Sequence, residues 1–453
     1  MARVSSGSSA GIVLAVSGGP DSLALMRVAD IYRRHVGACA PAIAIATVDH
    51  HLRPESTNEA AFVAALAARW GFHHTTLHWQ GFDGAGNLSA KAREARYALL
   101  RDHARIHGAG LILTAHHRGD DIETHGLAVA RGAGLGGRAG MRALRWLAPD
   151  IGLGRPFLAF EKSALAAVVA AAGLQPIDDP TNRDLRYDRA RIRQRLAQDP
   201  ARRAALARRL SRSKAARERG EAALAALLRS LEADGRLRYE TDGAITLDRT
   251  VLSTLSRRCA AHLISRAIVA AAGGDTPPAG PAVAAILDWL LAGNPTPLQR
   301  SLGGALLACD NGRLTLMREF GRSGIPPVFL ATSVPLGAGA RIAAMEDCDL
   351  RGSVAPDQTK LQGRVLPMAW PVSFDGRFVV DVGPWRTHAG ARIVALGSLK
   401  RGNARDRCRP VVIDAAGTPL AAEALIARRL GLKAAPLVMR SLTRHLLLRD
   451  LPV

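Results

Sequence analysis

Residues Leu14 to Met26 read LAVSGGPDSLALM and give the strongest indication of the fold. An apolar run ends at Val16, a glycine pair follows, and a segment with helical spacing begins at Asp21. This order is typical of a phosphate-binding turn, because glycine lets backbone N–H groups approach a phosphate and the helix adds its positive N-terminal end. The lysine that a GxxxxGK(S/T) loop directs at the outer phosphates is missing. The loop therefore favours a reaction that releases pyrophosphate whole and leaves an adenylated substrate. A strand-to-helix turn with an Asp or Ser cap is the alternative.

Short apolar runs alternate with helical segments over residues 11–173. The pattern predicts strands at Ile12–Val16, Ala42–Val48, His73–Trp79 and Gly110–Ala115, with helices beginning near Asp21, Ser56 and Asn87. Strands joined by crossover helices form a parallel sheet that binds ligands at the carboxyl ends of its strands. We therefore predict an α/β fold class with a parallel-sheet N-terminal domain.

Beyond this domain the sequence changes character. Residues 189–219 hold twelve Lys or Arg against two acids, which predicts a long basic helix with either a solvated or an RNA-facing surface. Further patterns predict helices at Leu252–Ala271 and Pro281–Leu291, a hairpin over Ser301–Phe320 with a DNGR turn, and a β-rich tail. We predict three domains: 1–205, a mainly helical 206–327, and a β-rich 328–453.

Composition limits the partners and the compartment. A formal charge of +22 points to a polyanion such as nucleic acid or anionic lipid, or to an arginine-rich proteome as the plain alternative. The five cysteines show no CxxC spacing, which disfavours a disulfide framework, a zinc site or an iron–sulfur cluster. No run approaches a signal peptide or a membrane span. We expect a cytoplasmic protein that does not bind a membrane.

Acidic and imidazole side chains follow the predicted strands. Asp49 and His50 end the second strand, where they could hold the adenosine half of a nucleotide or cap the strand. In TAHHRGDDIETHG, His116 and His117 precede Asp120 and Glu123, which are three apart on one helical face. Such a carboxylate pair could receive an ammonium group or a metal.

Basic residues form the rest of the pattern. Arg93 lies in KAREARY, Arg131 opens a glycine-rich loop, and Arg155 lies in GRPFLAFEKSAL. Arginine at high density matches phosphate geometry. The candidates for contact with a nucleic acid are Arg131, Arg155, Arg191, Arg193, Arg202 and Arg203, together with His116 and His117.

Taken in order, the motifs of the chain resemble those of bacterial tRNA(Ile)-lysidine synthetases, a family of the PP-loop N-type ATP pyrophosphatases. The motifs are SGGxDS, VDH, ARxxRY, TAHH with ET, RGxGxxGxxGM, RP and DPTNxD with RxRIR. The resemblance is strong over residues 12–196, weaker to Phe320 and faint beyond. It implies adenylation of the wobble cytidine of an isoleucine tRNA with a CAU anticodon. Attack by the ε-amine of L-lysine then gives lysidine, AMP and pyrophosphate.

The resemblance also implies residue roles. The phosphates of ATP and Mg²⁺ would be held by Ser17, Gly18, Gly19, Pro20, Asp21 and Ser22, with Asp49 and His50 beside the nucleotide. Asp120 and Glu123 would hold the lysine ammonium. Asp120 would also hold the metal, together with Asp21. Arg93 would act at the reaction centre. Independently of the resemblance, we also expect that the chain can form a homodimer.

Two departures separate this chain from the usual HHxDDQxET pattern: Gly119 replaces the first Asp and Asp121 replaces Gln. Arg138 also stands where Leu is usual. Three other readings remain: a PP-loop sulfur transferase acting on tRNA, a degenerate PP-loop domain that only binds RNA, and a small-molecule adenylating ligase. The retained Asp120 and Glu123 favour an active enzyme.

Overall fold

The structure, a computed structural model, describes residues 11–51, 56–79, 88–148, 150–177, 184–292, 298–321, 324–330, 372–382, 385, 388, 390–432 and 437–451. The described residues form two compact units that divide between Arg219 and Gly220. The three-domain division at residues 205 and 327 stays a prediction.

A six-stranded sheet forms the centre of the first unit, in the order β3-β2-β1-β4-β6-β5. Its strands are β1 (Gly11–Ala15), β2 (Ile43–Asp49), β3 (His73–His78), β4 (Ala109–Leu113), β5 (Leu144–Ala148) and β6 (Ile151–Gly154). All neighbouring strands are parallel except β5, which runs antiparallel to β6. The chain leaves β1 toward β2 on one side and returns as β4 on the other, so the carboxyl ends of β1 and β4 form a ligand crevice.

Helices of the first unit connect the strands and extend beyond them. They are α1 (Pro20–Val36), α2 (Ser56–Arg69), α3 (Leu88–Ile106), α4 (Arg118–Ala130), α5 (Leu135–Arg138), α6 (Lys162–Ala171), α7 (Asp188–Gln198) and α8 (Pro200–Ala233). Side chains alternate across β1: Leu14 packs with Leu23 on one face, and Val13 packs with Leu100 on the other. Both faces of the sheet are therefore covered, and the predicted α/β fold class is confirmed.

Two local features differ from the sequence expectations. The basic segment after residue 188 forms two helices rather than one, because Pro200 disfavours helical geometry at Asp199, which has φ −130° and ψ 85°. The β5–β6 hairpin was not predicted, because its strands are short and one contains two glycines. The DDPTN segment, Asp178–Asn182, lies outside the described residues.

The basic helices are attached to α4 by a small apolar core. Ile122 of α4 packs with Leu196 and Leu210. A Cβ at Gly126 would lie 2.4 Å from Ile192 Cδ1, so glycine at this position permits close approach of α4 and α7. The packing fixes the arginines of α7 beside the carboxyl ends of the strands.

The second unit contains the end of α8, several short helices and three antiparallel sheets. The helices are α9 (Val251–Thr254), α10 (Arg257–Ala272), α11 (Gly280–Leu291), α12 (Ala424–Arg429) and α13 (Thr443–Leu448). One sheet has the order β7-β8-β11-β10-β9, from β7 (Leu237–Tyr239), β8 (Ile245–Asp248), β9 (Leu298–Leu302), β10 (Ala305–Asp310) and β11 (Arg313–Arg318). The predicted hairpin is confirmed, with positive φ at both Asn311 and Gly312.

The C-terminal part is β-rich, as predicted. Sheet β12-β15-β16-β17 comprises Val328–Phe329, Arg392–Ala395, Pro410–Ile413 and Pro419–Ala422. Sheet β13-β14-β18 comprises Val372–Phe374, Phe378–Val380 and Met439–Ser441. Their inner faces share one apolar core that includes Phe374, Phe378 and Ile393.

Candidate active site

The glycine turn after β1 is fixed by hydrogen bonds within the loop. The backbone N–H of Ser17 donates to the Ser22 hydroxyl at 3.2 Å, and that hydroxyl donates to the Gly19 carbonyl at 2.9 Å. Gly18 has φ +83°, and a Cβ there would lie 2.5 Å from Ile177 Cδ1, so this position requires glycine. The backbone at the N-terminus of α1 thus has the form that phosphate binding needs.

Pro20 and Asp21 are the first residues of α1, and Asp21 faces the strand ends with an incompletely satisfied carboxylate. Its Oδ1 is buried and has no hydrogen-bond partner among the described residues. Its Oδ2 lies 3.7 Å from His117 Nε2. Burial raises the pKa of the Asp21 carboxyl, although the charges of His117 and Lys162 act in the opposite direction. A buried carboxylate with an unused oxygen is suited to binding a cation.

His117 caps α4 and connects two carboxylates. Its Nδ1 accepts the backbone N–H groups of Gly119 at 2.9 Å and Asp120 at 3.4 Å, while Asp120 Oδ2 accepts the His117 N–H at 3.1 Å. Because Nδ1 is an acceptor, the ring proton is on Nε2. That Nε2 lies 3.7 Å from Asp120 Oδ2 and the same distance from Asp21 Oδ2. The cap therefore brings Asp21 and Asp120 to one site.

Asp120 remains ionised despite its burial. Burial opposes the charged form, but the His117 imidazole, the His117 N–H and Arg189 outweigh it and lower the pKa of Asp120. Arg193 Nη2 lies 3.7 Å from Asp120 Oδ1. The site thus contains a stable negative charge beside a guanidinium.

Glu123 is buried one turn along α4 and is held by arginines of α7. Arg193 donates Nε–H to one Glu123 oxygen at 2.8 Å and Nη2–H to the other at 3.0 Å. Arg189 Nε lies 3.5 Å from Glu123 Oε2. This bidentate pair fixes Arg193 toward Asp120 and raises its pKa. The predicted contact of Glu123 with lysine stays a prediction.

His116, Arg93 and Arg155 form a second group near the strand ends. Burial lowers the pKa of His116 to about 3, and the charges of Arg155 and Arg93 contribute to this shift, so the imidazole is neutral. His116 Nδ1 lies 2.9 Å from the Thr114 hydroxyl. Arg155 is 3% exposed and donates to the Arg142 carbonyl at 2.7 Å. The assignment of Arg155 to RNA binding stays a prediction, and its present contacts lie within the unit.

Asp49 and His50 lie at the end of β2, as predicted. Burial lowers the pKa of His50 to about 4, with a further contribution from Arg96. His50 Nε2 is 3.2 Å from Arg96 Nη2, and its ring meets the edge of Trp79 at 5.5 Å. A neutral imidazole and an indole at this edge could contact a nucleobase.

The departures from the usual acidic motif have structural partners. Asp121 is 1% exposed, forms an ion pair with Lys214 of α8, and accepts the Met141 N–H at 2.6 Å. It therefore joins the basic helix to the glycine-rich loop. Gly119 leaves room for the capping ring, since a Cβ there would lie 2.6 Å from His117 Cε1.

The remaining predicted arginines lie toward solvent and pair with nearby acids. Arg131 and Arg191 both form ion pairs with Asp188, and Arg203 donates to Glu161 at 2.5 Å. Arg202 is exposed in the first turn of α8. Their contact with RNA stays a prediction.

Two residues, Lys162 and Arg189, were not predicted from the sequence, and neither was the role of His117 as the cap of α4. Lys162 begins α6 and acts electrostatically on Asp21, although it is far from the glycine loop in the sequence. Arg189 reinforces Glu123, and the His117 ring caps α4. Lys162 can be seen in the sequence shortly after Arg155, but only the tertiary fold brings it near the glycine turn.

Comparisons with known proteins identify the family of the chain. A family model described as a PP-loop domain matches residues 3–199. The chain is 42% identical over 325 residues to the tRNA(Ile)-lysidine synthase of Methylobacterium sp. (strain 4-46), covering 69% of this chain and 90% of that protein. The corresponding enzyme of Methylobacterium nodulans is 40% identical, with coverage of 69% and 91%. That of Bradyrhizobium diazoefficiens is 38% identical, with coverage of 67% and 84%.

Among solved structures, the chain is similar to a U34-tRNA thiolase from Methanococcus maripaludis, with 12% identity and a TM-score of 0.39 over 46% of this chain and 73% of that one. Within the described ranges, no helix is long and apolar enough to cross a membrane.

The two Methylobacterium relatives match this chain over about nine tenths of their own length. The chain therefore belongs to the tRNA(Ile)-lysidine synthase family.

Proposed function

We propose that this chain is a ligase that uses ATP to join L-lysine to the wobble cytidine of an isoleucine tRNA with a CAU anticodon. The C2 carbonyl oxygen of the cytidine attacks the α-phosphate of ATP, an O–P bond forms, and pyrophosphate leaves. The lysine ε-amine then attacks C2, a C–N bond forms, and AMP departs. The product, lysidine, changes codon reading from AUG to AUA.

The single observation that carries this proposal is the joint acidic site formed by Asp21 and Asp120. Asp21 follows the glycine turn and Asp120 lies on α4, and each has a carboxylate oxygen 3.7 Å from His117 Nε2. The nucleotide phosphates and the attacking amine must meet at one point. In this proposal Asp21 serves the phosphates through Mg²⁺, and Asp120 serves both the ion and the amine. Adenylation and amine transfer can then share one site.

The residues present fit Mg²⁺. Asp21 Oδ1 is buried without a hydrogen-bond partner among the described residues, and hard divalent cations prefer carboxylate oxygen. We assign the ion to Asp21 and Asp120. When bound, it would neutralise charge on the phosphates. The glycine turn would hold the phosphates through its backbone, and Lys162 would approach them from α6.

Asp120 is the better candidate of the α4 acids for the lysine ammonium. Both Glu123 oxygens already accept hydrogen bonds from Arg193, so Glu123 acts by positioning that guanidinium. Arg193 and Arg93 supply positive charge for the departing AMP. This distribution of roles positions the amine and stabilises the leaving group with separate side chains.

Basic surface on α7 and α8 supports tRNA as the substrate. Exposed arginines of these helices lie in the same unit as the acidic site, and phosphate neutralisation by arginine gives affinity that does not depend on sequence. We extend the proposal to a cytoplasmic location and to a homodimer.

The decisive experiment is a lysine-transfer assay. The full chain is incubated with ATP, Mg²⁺, labelled lysine and either isoleucine tRNA or methionine tRNA, both with CAU anticodons. We expect label in the isoleucine tRNA alone, with equimolar AMP and pyrophosphate. No transfer despite tRNA binding would leave an RNA-binding role. A thiolated base would indicate a sulfur transferase, and ATP–pyrophosphate exchange without tRNA a small-molecule ligase.

A further inference from the structure

A second cluster of potential ligands lies at the ends of β2 and β3. Asp49, His51 and His78 bring one carboxylate oxygen and two imidazole nitrogens within 4.8 Å of one another. None of the steps proposed above uses His51 or His78. We propose that these three side chains bind one divalent transition metal ion of the Zn²⁺ class.

The two imidazoles already converge. His51 Nε2 lies 2.8 Å from His78 Nδ1, and the rings stack with centroids 5.0 Å apart at an interplanar angle of 16°. Two ring nitrogens at this distance can share only one proton. A metal ion would take the place of that proton and accept one lone pair from each ring. Because Asp49 Oδ2 lies beside the other nitrogen of His51, Nδ1, the His51 ring would have to rotate to bring the ion to the carboxylate.

The carboxylate is held ready by neighbouring donors. Asp49 Oδ1 accepts the His51 N–H at 2.8 Å, and Oδ2 accepts the Thr57 hydroxyl at 3.3 Å. His51 Nδ1 lies 3.5 Å from Asp49 Oδ2. Outer hydrogen bonds of this kind orient metal-binding carboxylates. Asp49 is buried and therefore provides a fixed side to the cluster.

The backbone at His51 is unusual for a residue with a side chain. Its φ is +50°, a conformation that L-residues seldom adopt and that persists only where the surrounding structure holds it. The His51 side chain is 39% exposed while that of Asp49 is buried, so the cluster is open on one side. An ion can enter there and complete its coordination with water.

The donor set selects the class of metal. Two imidazoles and one carboxylate suit Zn²⁺, Co²⁺ and related ions, whereas Mg²⁺ prefers six oxygen ligands. The cluster therefore differs in chemistry from the carboxylate pair assigned to Mg²⁺. A metal at this point would join the ends of β2 and β3.

The test is a metal titration of the full chain, free of any polyhistidine tag and dialysed against a chelator. Calorimetry with Zn²⁺ should give one site per chain. His51→Gln and His78→Gln should each weaken Zn²⁺ binding at least about tenfold. The matched control is His73→Gln, an exposed histidine on the same strand as His78, which should change affinity less than twofold.

A second readout needs no variant. Co²⁺ bound to nitrogen and oxygen ligands should show visible absorption bands that Zn²⁺ abolishes, without an intense thiolate band in the near ultraviolet. Circular dichroism of each variant checks that it is folded. No stoichiometric binding, a thiolate band, or equal losses in the control and the ligand variants would each overturn the proposal.

Discussion

The acidic site of the first unit and the ion-pair network of the second use buried carboxylates in opposite ways. Asp21 keeps one buried oxygen without a hydrogen-bond partner in the described part of the chain. Asp242 of the second unit is 6% exposed, and its carboxylate pairs with both Arg405 and Arg409. The Asp21 carboxylate can still bind a ligand, whereas the Asp242 carboxylate already has its partners within the protein. Burial of an acid therefore indicates function only when its partners are incomplete.

The largest effect is expected where this contrast is strongest. Asp21→Asn should reduce lysine transfer about 10³-fold, because the variant loses the charge that faces the phosphates. The melting temperature should stay equal or rise, because burial without a full partner disfavours the charge, as the raised pKa shows. Binding of tRNA should remain within a few-fold. Transfer assays, calorimetry and filter binding measure the three quantities.

Asp242→Asn is the matched comparison. It leaves Arg405 and Arg409 without their shared charge in a buried network, so the melting temperature should fall while the transfer rate per folded molecule changes little. If Asp21→Asn lowered stability and Asp242→Asn did not, the distinction between the two carboxylates would fail. Large loss of tRNA affinity in Asp21→Asn would also assign a structural role to Asp21.

Local patterns in the sequence were sufficient for the strands around the site. Strand β1, the turn after it and the acids of α4 follow from apolar periodicity, glycine and charge that lie within short stretches. Contacts between distant residues could not be predicted in this way. Lys162 acts on the charge of Asp21, and His78 contacts His51, only because the fold brings distant segments together.

The basic helices show the same division between local and distant information. Their charge was visible, but Pro200 divides them, and the tertiary fold assigns the arginines different partners. Arg193 turns inward to Glu123, whereas Arg202 is exposed to solvent. Composition alone does not distinguish an arginine that supports the acidic site from one that could contact RNA.

A smaller effect is expected from the exposed arginines. Replacing four residues of α8 with Gln should weaken tRNA binding at least about tenfold at low salt and flatten its salt dependence. The four are Arg202, Arg203, Arg208 and Arg209. The control removes the same charge from helices α1–α3, at Arg34, Arg69, Arg101 and Arg105. Equal slopes for the two variants would mean that α8 presents an ordinary solvated face.

The smallest effect tests how the acidic site is assembled. In Gly119→Ala the new Cβ would meet the His117 ring at 2.6 Å, so the ring must turn away. Loss of the cap costs about 1 kcal/mol, and replacing glycine near the helix start returns up to about 1 kcal/mol. The melting temperature should therefore change little, while transfer falls about fivefold because Nε2 no longer faces Asp21 and Asp120.

Two further variants separate the ring from the backbone. Gly220→Ala, on α8, adds a Cβ with no heavy atom within 4 Å and should leave transfer unchanged. His117→Asn keeps an oxygen that can accept the cap hydrogen bonds but removes Nε2, so it should lose transfer to the same extent as Gly119→Ala. Full activity in His117→Asn would show that the carboxylates assemble without the imidazole. The His117 ring, although it lies near both Asp21 and Asp120, would then act only as the cap of α4.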